Sequence, residues 1–151
     1  MLALMPLLSN CNKLNDWFGV GSFNYTEKYY LNYSMDEVIK ATEIFKLEHP
    51  EMCLVDTASW YQDGYHDPNK LWYMVCYRYP EKELNVTTWI RDNGTHASIV
   101  GFVALWKNEK GTTKSVNKDF SNSENKEIKR EFESRILNPI KEILQRKWGT
   151  I

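Results

Sequence analysis

A histidine flanked by carboxylates is the arrangement in this chain that most resembles a reactive centre. Asp63, His66 and Asp67 lie within the stretch Gln62-Asp-Gly-Tyr-His-Asp-Pro-Asn-Lys70. A carboxylate beside an imidazole fixes the tautomer and raises basicity, which suits a general base or a metal ligand. A working site also needs groups converging from other segments. No Ser or Cys nucleophile motif, Gly-rich phosphate loop or His-Glu-x-x-His run accompanies these three residues. The Gly and Pro of the stretch mark it as a loop. His49 stands at a helix end before Pro50, and His96 follows a turn, so both have structural explanations. No catalytic residue, metal ligand or cofactor is therefore assigned. An enzyme using the His66 loop is kept as an alternative reading.

Sulfur chemistry offers a second possibility. Cys53 and Cys76 both fall in predicted strands. As a disulfide they would add roughly 3–4 kcal/mol in the chain-entropy description. As free thiols they would act as small buried hydrophobes. Neither the spacing of a zinc site nor a Cys-x-x-Cys motif occurs.

The elements that must position these residues are organised around Leu71 to Trp106. Aromatic and β-branched residues alternate there with polar ones, and turn residues interrupt the runs, which predicts a three-stranded antiparallel meander. A four-residue loop 80–83 pairs Tyr79 with Leu84, Tyr77 with Val86 and Val75 with Thr88. Asn93-Gly94 favours a two-residue type I′ turn, which pairs Asp92 with Thr95 and Ile90 with Ala97. One face then carries Tyr73, Val75, Tyr77, Val86, Ile90 and, on the third strand, Ile99, Val103 and Leu105. The opposite face carries Trp72, Met74, Arg78, Trp89, Arg91, Phe102 and Trp106. Trp and Arg together combine large contact area with a polar handle, so these seven residues form a candidate protein-binding surface. The bland reading is that another segment of the same chain covers them.

On either side of the meander the signals are helical. Ser34-Met-Asp-Glu37 spells a capping box, with Tyr33 and Val38 as its hydrophobic staple. Met35, Val38, Ile39, Thr42 and Phe45 form an apolar stripe, and His49-Pro50 ends the helix. Residues 22–33 predict a strand, 52–60 a second and 112–116 a short polar edge strand. Ser121 and Glu124 open a last helix running to about Lys147, with Ile128, Phe132, Ile136, Ile140, Ile143 and Leu144 as its stripe. Pro139 falls inside that pattern and predicts a kink, or two helices meeting at Asn138. Exposed pairs such as Glu131–Arg135 and Glu142–Arg146 suit its outer face. The fold class expected is α+β: a two-layer domain over residues 21–151, with a twisted antiparallel sheet carrying two helices on one face.

At 151 residues the chain is long enough for one domain with a substantial core. Its 19 basic residues nearly balance 20 acidic ones, so electrostatics offer nothing to a nucleic-acid partner. No apolar run is long enough to span a bilayer. The first residues, Met-Leu-Ala-Leu-Met-Pro-Leu-Leu-Ser-Asn-Cys11, run from apolar to small and polar before a Cys. This N-terminus resembles the end of a bacterial lipoprotein signal peptide of the Bacteroidetes type, with Leu8-Ser9-Asn10-Cys11 in the lipobox position. Asn before the Cys departs from the common Gly or Ala, and no Lys or Arg precedes the apolar run. The resemblance implies removal of residues 1–10, lipidation of Cys11, and a tether over residues 11–20. It also implies membrane anchoring in the cell envelope, periplasmic or at the outer membrane. The function expected is a small envelope lipoprotein acting as a binding or inhibitory module, similar to immunity proteins, with a protein partner. A structural or accessory envelope lipoprotein is the third reading.

Overall fold

The computed structural model describes residues 23–54, 62–108 and 112–149. Cys11, the leader, the tether and most of the 52–60 strand expectation lie outside them. The elements run β1 (Glu27–Leu31), α1 (Met35–Glu48), β2 (Gly64–Tyr65), β3 (Tyr73–Tyr79), β4 (Leu84–Asp92), β5 (Ser98–Trp106), β6 (Lys114–Ser115), α2 (Asn122–Phe132) and α3 (Asn138–Trp148). The antiparallel sheet has the order β1-β5-β4-β3-β2, and β6 pairs with the far end of β5. Helices and sheet form the α+β architecture expected.

Both capping boxes are present. Ser34 accepts from the Glu37 amide while Glu37 accepts from the Ser34 amide, and Ser121 and Glu124 repeat the exchange. Val38, Thr42 and Phe45 are buried beneath α1, with Ala41 among them, and the helix ends at His49. Pro50–Met52 then forms a short 3-10 turn where the sequence suggested the start of a strand. The proline fixes φ at the first position of that turn, which tightens the chain instead of extending it.

The final helical run is continuous from Asn122 to Trp148, but its turn Glu133–Leu137 is a π-helix. Asn138 N–H there reaches back five residues to the Glu133 carbonyl. Widening the turn accommodates Pro139, whose ring would collide with the Arg135 carbonyl in a regular α-turn. Phe132, Ile136, Ile140, Ile143 and Leu144 are buried as expected, and Leu137 joins them. Arg135 pairs with Glu131 at 3.1 Å and with Glu81, while its guanidinium lies 4.1 Å from the Tyr79 ring. Arg146 reaches across to Glu48 of α1.

The first hairpin has the predicted register, Tyr79 with Leu84 through Val75 with Thr88. Its loop is a 3-10 turn, Pro80–Lys82, closed by Glu83 at φ 49°. The second hairpin corrects the prediction. Asp92 pairs with Ser98, Ile90 with Val100 and Thr88 with Phe102. A type I′ turn needs positive φ at both central residues. Gly94 has it and Asn93 does not. A five-residue loop results, in which Asn93 N–H donates to the Ala97 carbonyl and Ala97 N–H to that of Gly94. The slip is three residues, an odd number, so it exchanges the faces of β5. A bulge at Thr87/Thr88 then returns Leu105 opposite Val86. Val100 and Phe102 therefore join the helix-covered core, and Ile99 and Val103 move to the other side.

Gly101 sits opposite Trp89, and the indole lies flat against the position a Cβ would occupy. Gly101→Ala is expected to destabilise by about 1–3 kcal/mol through overpacking, read as a lower midpoint in urea. Combining it with Trp89→Phe should recover part of that loss, because the smaller ring vacates the contact.

Candidate functional site

The loop carrying His66 is built by its carboxylates. Asp67 accepts from the amides of Leu71 at 2.9 Å and Trp72 at 3.1 Å, so it shapes the approach to β3. Asp63 accepts from the Cys76 amide at 3.1 Å and pairs with Lys46, whose Nζ donates to the Cys76 carbonyl at 2.7 Å. Both side chains that made the loop look reactive are thus engaged with backbone or with an ion pair. His66 Nε2 lies 2.7 Å from the Gln62 carbonyl. Among the described residues no three His, Cys, Asp or Glu side chains converge as a metal site would require.

The two cysteines are not bridged. Cys76 points away from the helices, between Val75 and Tyr77 of the helix-covered core. Cys53 directs its sulfur back to the Lys46 carbonyl at the end of α1, 3.6 Å away. Both are free thiols, Cys76 buried in β3 and Cys53 half-buried just after α1. Burial pushes the Cys76 thiol up to about 11.

Most of the predicted tryptophan-rich surface is interior. Trp89 is 1 % exposed, Met74 4 % and Trp106 6 %. Met74 and Trp89 pack with Ile99, Val103 and Ala104 into a second core, flanked by Phe23 and Trp72. Trp72 and Trp89 meet edge to face at 4.7 Å. Trp106 donates its indole N–H to Thr87 Oγ1 at 2.9 Å. Phe102 is buried on the other side, under the helices, because of the shifted register. These four residues offer no contact area to a partner. Of the seven predicted, Trp72 and Arg78 remain half-buried and Arg91 exposed, its guanidinium 5.0 Å from the Trp72 ring.

An open groove of about 640 Å³ lies elsewhere, between α2 and the ends of β4, β5 and β6. Leu84, Leu105, Phe120 and Ile128 form its apolar floor. Lys82, Lys107 and Lys114 stand on the sheet side, facing Glu124, Glu127 and Glu131 along α2. Lys82 closes one end by pairing with Glu131 at 2.7 Å, and Lys114 lies 5.2 Å from the Phe120 ring. The capping bonds to Ser121 hold the Glu124 carboxyl below its usual range, so it is ionised at neutral pH. The size falls within that of small-ligand or peptide-anchor pockets. Its two rims carry opposite charge, an arrangement suited to orienting an amphipathic segment. These residues are separated by up to about fifty positions in sequence. The i, i+3, i+7 spacing of Glu124, Glu127 and Glu131 was the one local signal available.

Comparison with protein-family models, with curated proteins and with solved structures yields no match for this chain.

In the native protein Cys76 should resist alkylation at pH 8 and become labelled only on unfolding, because its thiolate is suppressed by burial. Intact mass with and without reductant should show no intramolecular disulfide between Cys53 and Cys76.

Proposed function

We propose that the protein is a lipid-anchored binding module of the bacterial cell envelope, inhibitory in the manner of an immunity protein, and that its partner is another protein. The observation that carries this reading is the groove beside α2, whose apolar floor lies between opposed lysine and glutamate rims. Opposed charges over an apolar floor favour one orientation of a bound segment and disfavour its reverse. The carboxylates near His66 serve backbone amides and Lys46, and that is why binding is preferred over an enzyme using the loop. Lipid anchoring rests on the lipobox-like Leu8-Ser9-Asn10-Cys11. A multiply acylated Cys11 would hold the domain stably at a membrane, since each buried CH₂ contributes about 0.8 kcal/mol.

Charge reversal tests the groove. Lys107→Glu and Glu127→Lys alter exposed side chains, so thermal stability should change little. Each should release the envelope protein that the unaltered chain retains in affinity capture. Retention by both variants would move the binding surface elsewhere. Mass spectrometry of the native protein tests the anchor: the expected N-terminus is acylated Cys11 without residues 1–10. An unmodified Cys11 still attached to those residues would overturn the assignment to the envelope.

A further inference from the structure

Parts of the sheet's edge are closed by the chain's own side chains, and β1 is the longest edge strand left without them among the described residues. At the β3 edge, β2 covers Tyr73 and Met74. Beyond it, Asp63 takes the Cys76 amide and Lys46 the Cys76 carbonyl, so a carboxylate and an ammonium replace a neighbouring strand. On β6, Asp119 takes the Ser115 amide at 2.8 Å, and the Ser115 carbonyl accepts from the Asp119 amide at 3.1 Å. β1 differs. All five of its residues pair with β5, and among the described residues no strand or capping side chain meets its outer row of backbone groups. An edge of that kind is a template for another strand.

We propose that a second copy of this chain occupies it, giving a two-fold dimer in which β1 pairs antiparallel with β1 of its partner and the two sheets become one. The side chains favour a register centred on Tyr29. Glu27, Tyr29 and Leu31 point to the helix side, where Lys129 and Asn117 hold Glu27 at 2.9 Å each and Tyr29 packs on Phe132. Lys28 and Tyr30 point to the other side, and Tyr30 is 67 % exposed. Pairing about Tyr29 sets Lys28 of each copy opposite Tyr30 of the other, twice. A lysine on an edge ordinarily discourages self-pairing, but in this register it meets an aromatic ring and not its own like charge. The same contact recurs within the fold, with Lys46 over Tyr77 at 5.1 Å and Lys118 over Tyr25 at 5.6 Å. Closed two-fold pairing uses the β1 edge of both copies, so through this contact the assembly stops at two.

Sedimentation and light scattering of the purified full chain should show a concentration-dependent dimer, with the outer amides of β1 slow in hydrogen exchange. Tyr30→Lys places lysine opposite lysine on both sides of the seam and should weaken the dimer roughly tenfold, on the scale of cross-strand pair energies. Tyr30→Glu places glutamate opposite lysine and should leave the dimer as strong or stronger. Circular dichroism should show both variants folded, since the position is exposed. A monomer at every concentration up to the solubility limit would overturn the proposal. So would a dimer indifferent to the sign of the charge at position 30, which would place the interface elsewhere.

Discussion

The stack of Phe102 on Phe132 holds the two layers together. The rings lie 4.6 Å apart and 17° from parallel, both fully buried, and Tyr29 packs on Phe132 from the side at 5.6 Å. Three elements meet there: a central strand, an edge strand and the last turn of α2. Truncating either phenylalanine in such a setting typically costs about 3–5 kcal/mol. The stack exists because the second hairpin has the register it has. One residue of slip would turn Phe102 away from the helices and leave Phe132 facing a gap.

Much of this was readable from the sequence where a local rule acts alone. The two capping boxes, the stripes of both helices and the loop 80–83 each depend on residues within a few positions of one another, and all appear as read. β5 was not readable in the same way. Ser98 to Trp106 is buried at every position, so the strand is apolar toward both cores and alternation cannot tell one register from its neighbour. The Asn93-Gly94 pair then suggested a tight turn that the backbone does not make. Pro139 is incompatible with a regular helix, and the last helix does begin at Asn138, but the join is a widened turn whose form depends on what the helix packs against.

The candidate site follows the same division. Asp63, His66 and Asp67 resemble a site because they are close in sequence, and the structure uses the two carboxylates to shape a loop and seal a strand. The tryptophans resemble a binding surface because they share a face, and most of that face is a second core. The groove has no signature in the sequence because its lysines come from three separate segments and its floor from four. Only its glutamates are neighbours on one helix.

The five residues Glu133–Leu137 have a wider effect than making room for a proline. Each residue added to a helix rotates everything after it by about 100°. The surplus residue in this turn therefore sets which side of α3 faces α1, and the aim of Ile140, Ile143 and Leu144 is decided upstream of them. α3 is keyed to its partner in the manner of a gear whose teeth are cut on one wheel and indexed on another. A chain lacking the surplus would keep the same apolar residues and present them to water.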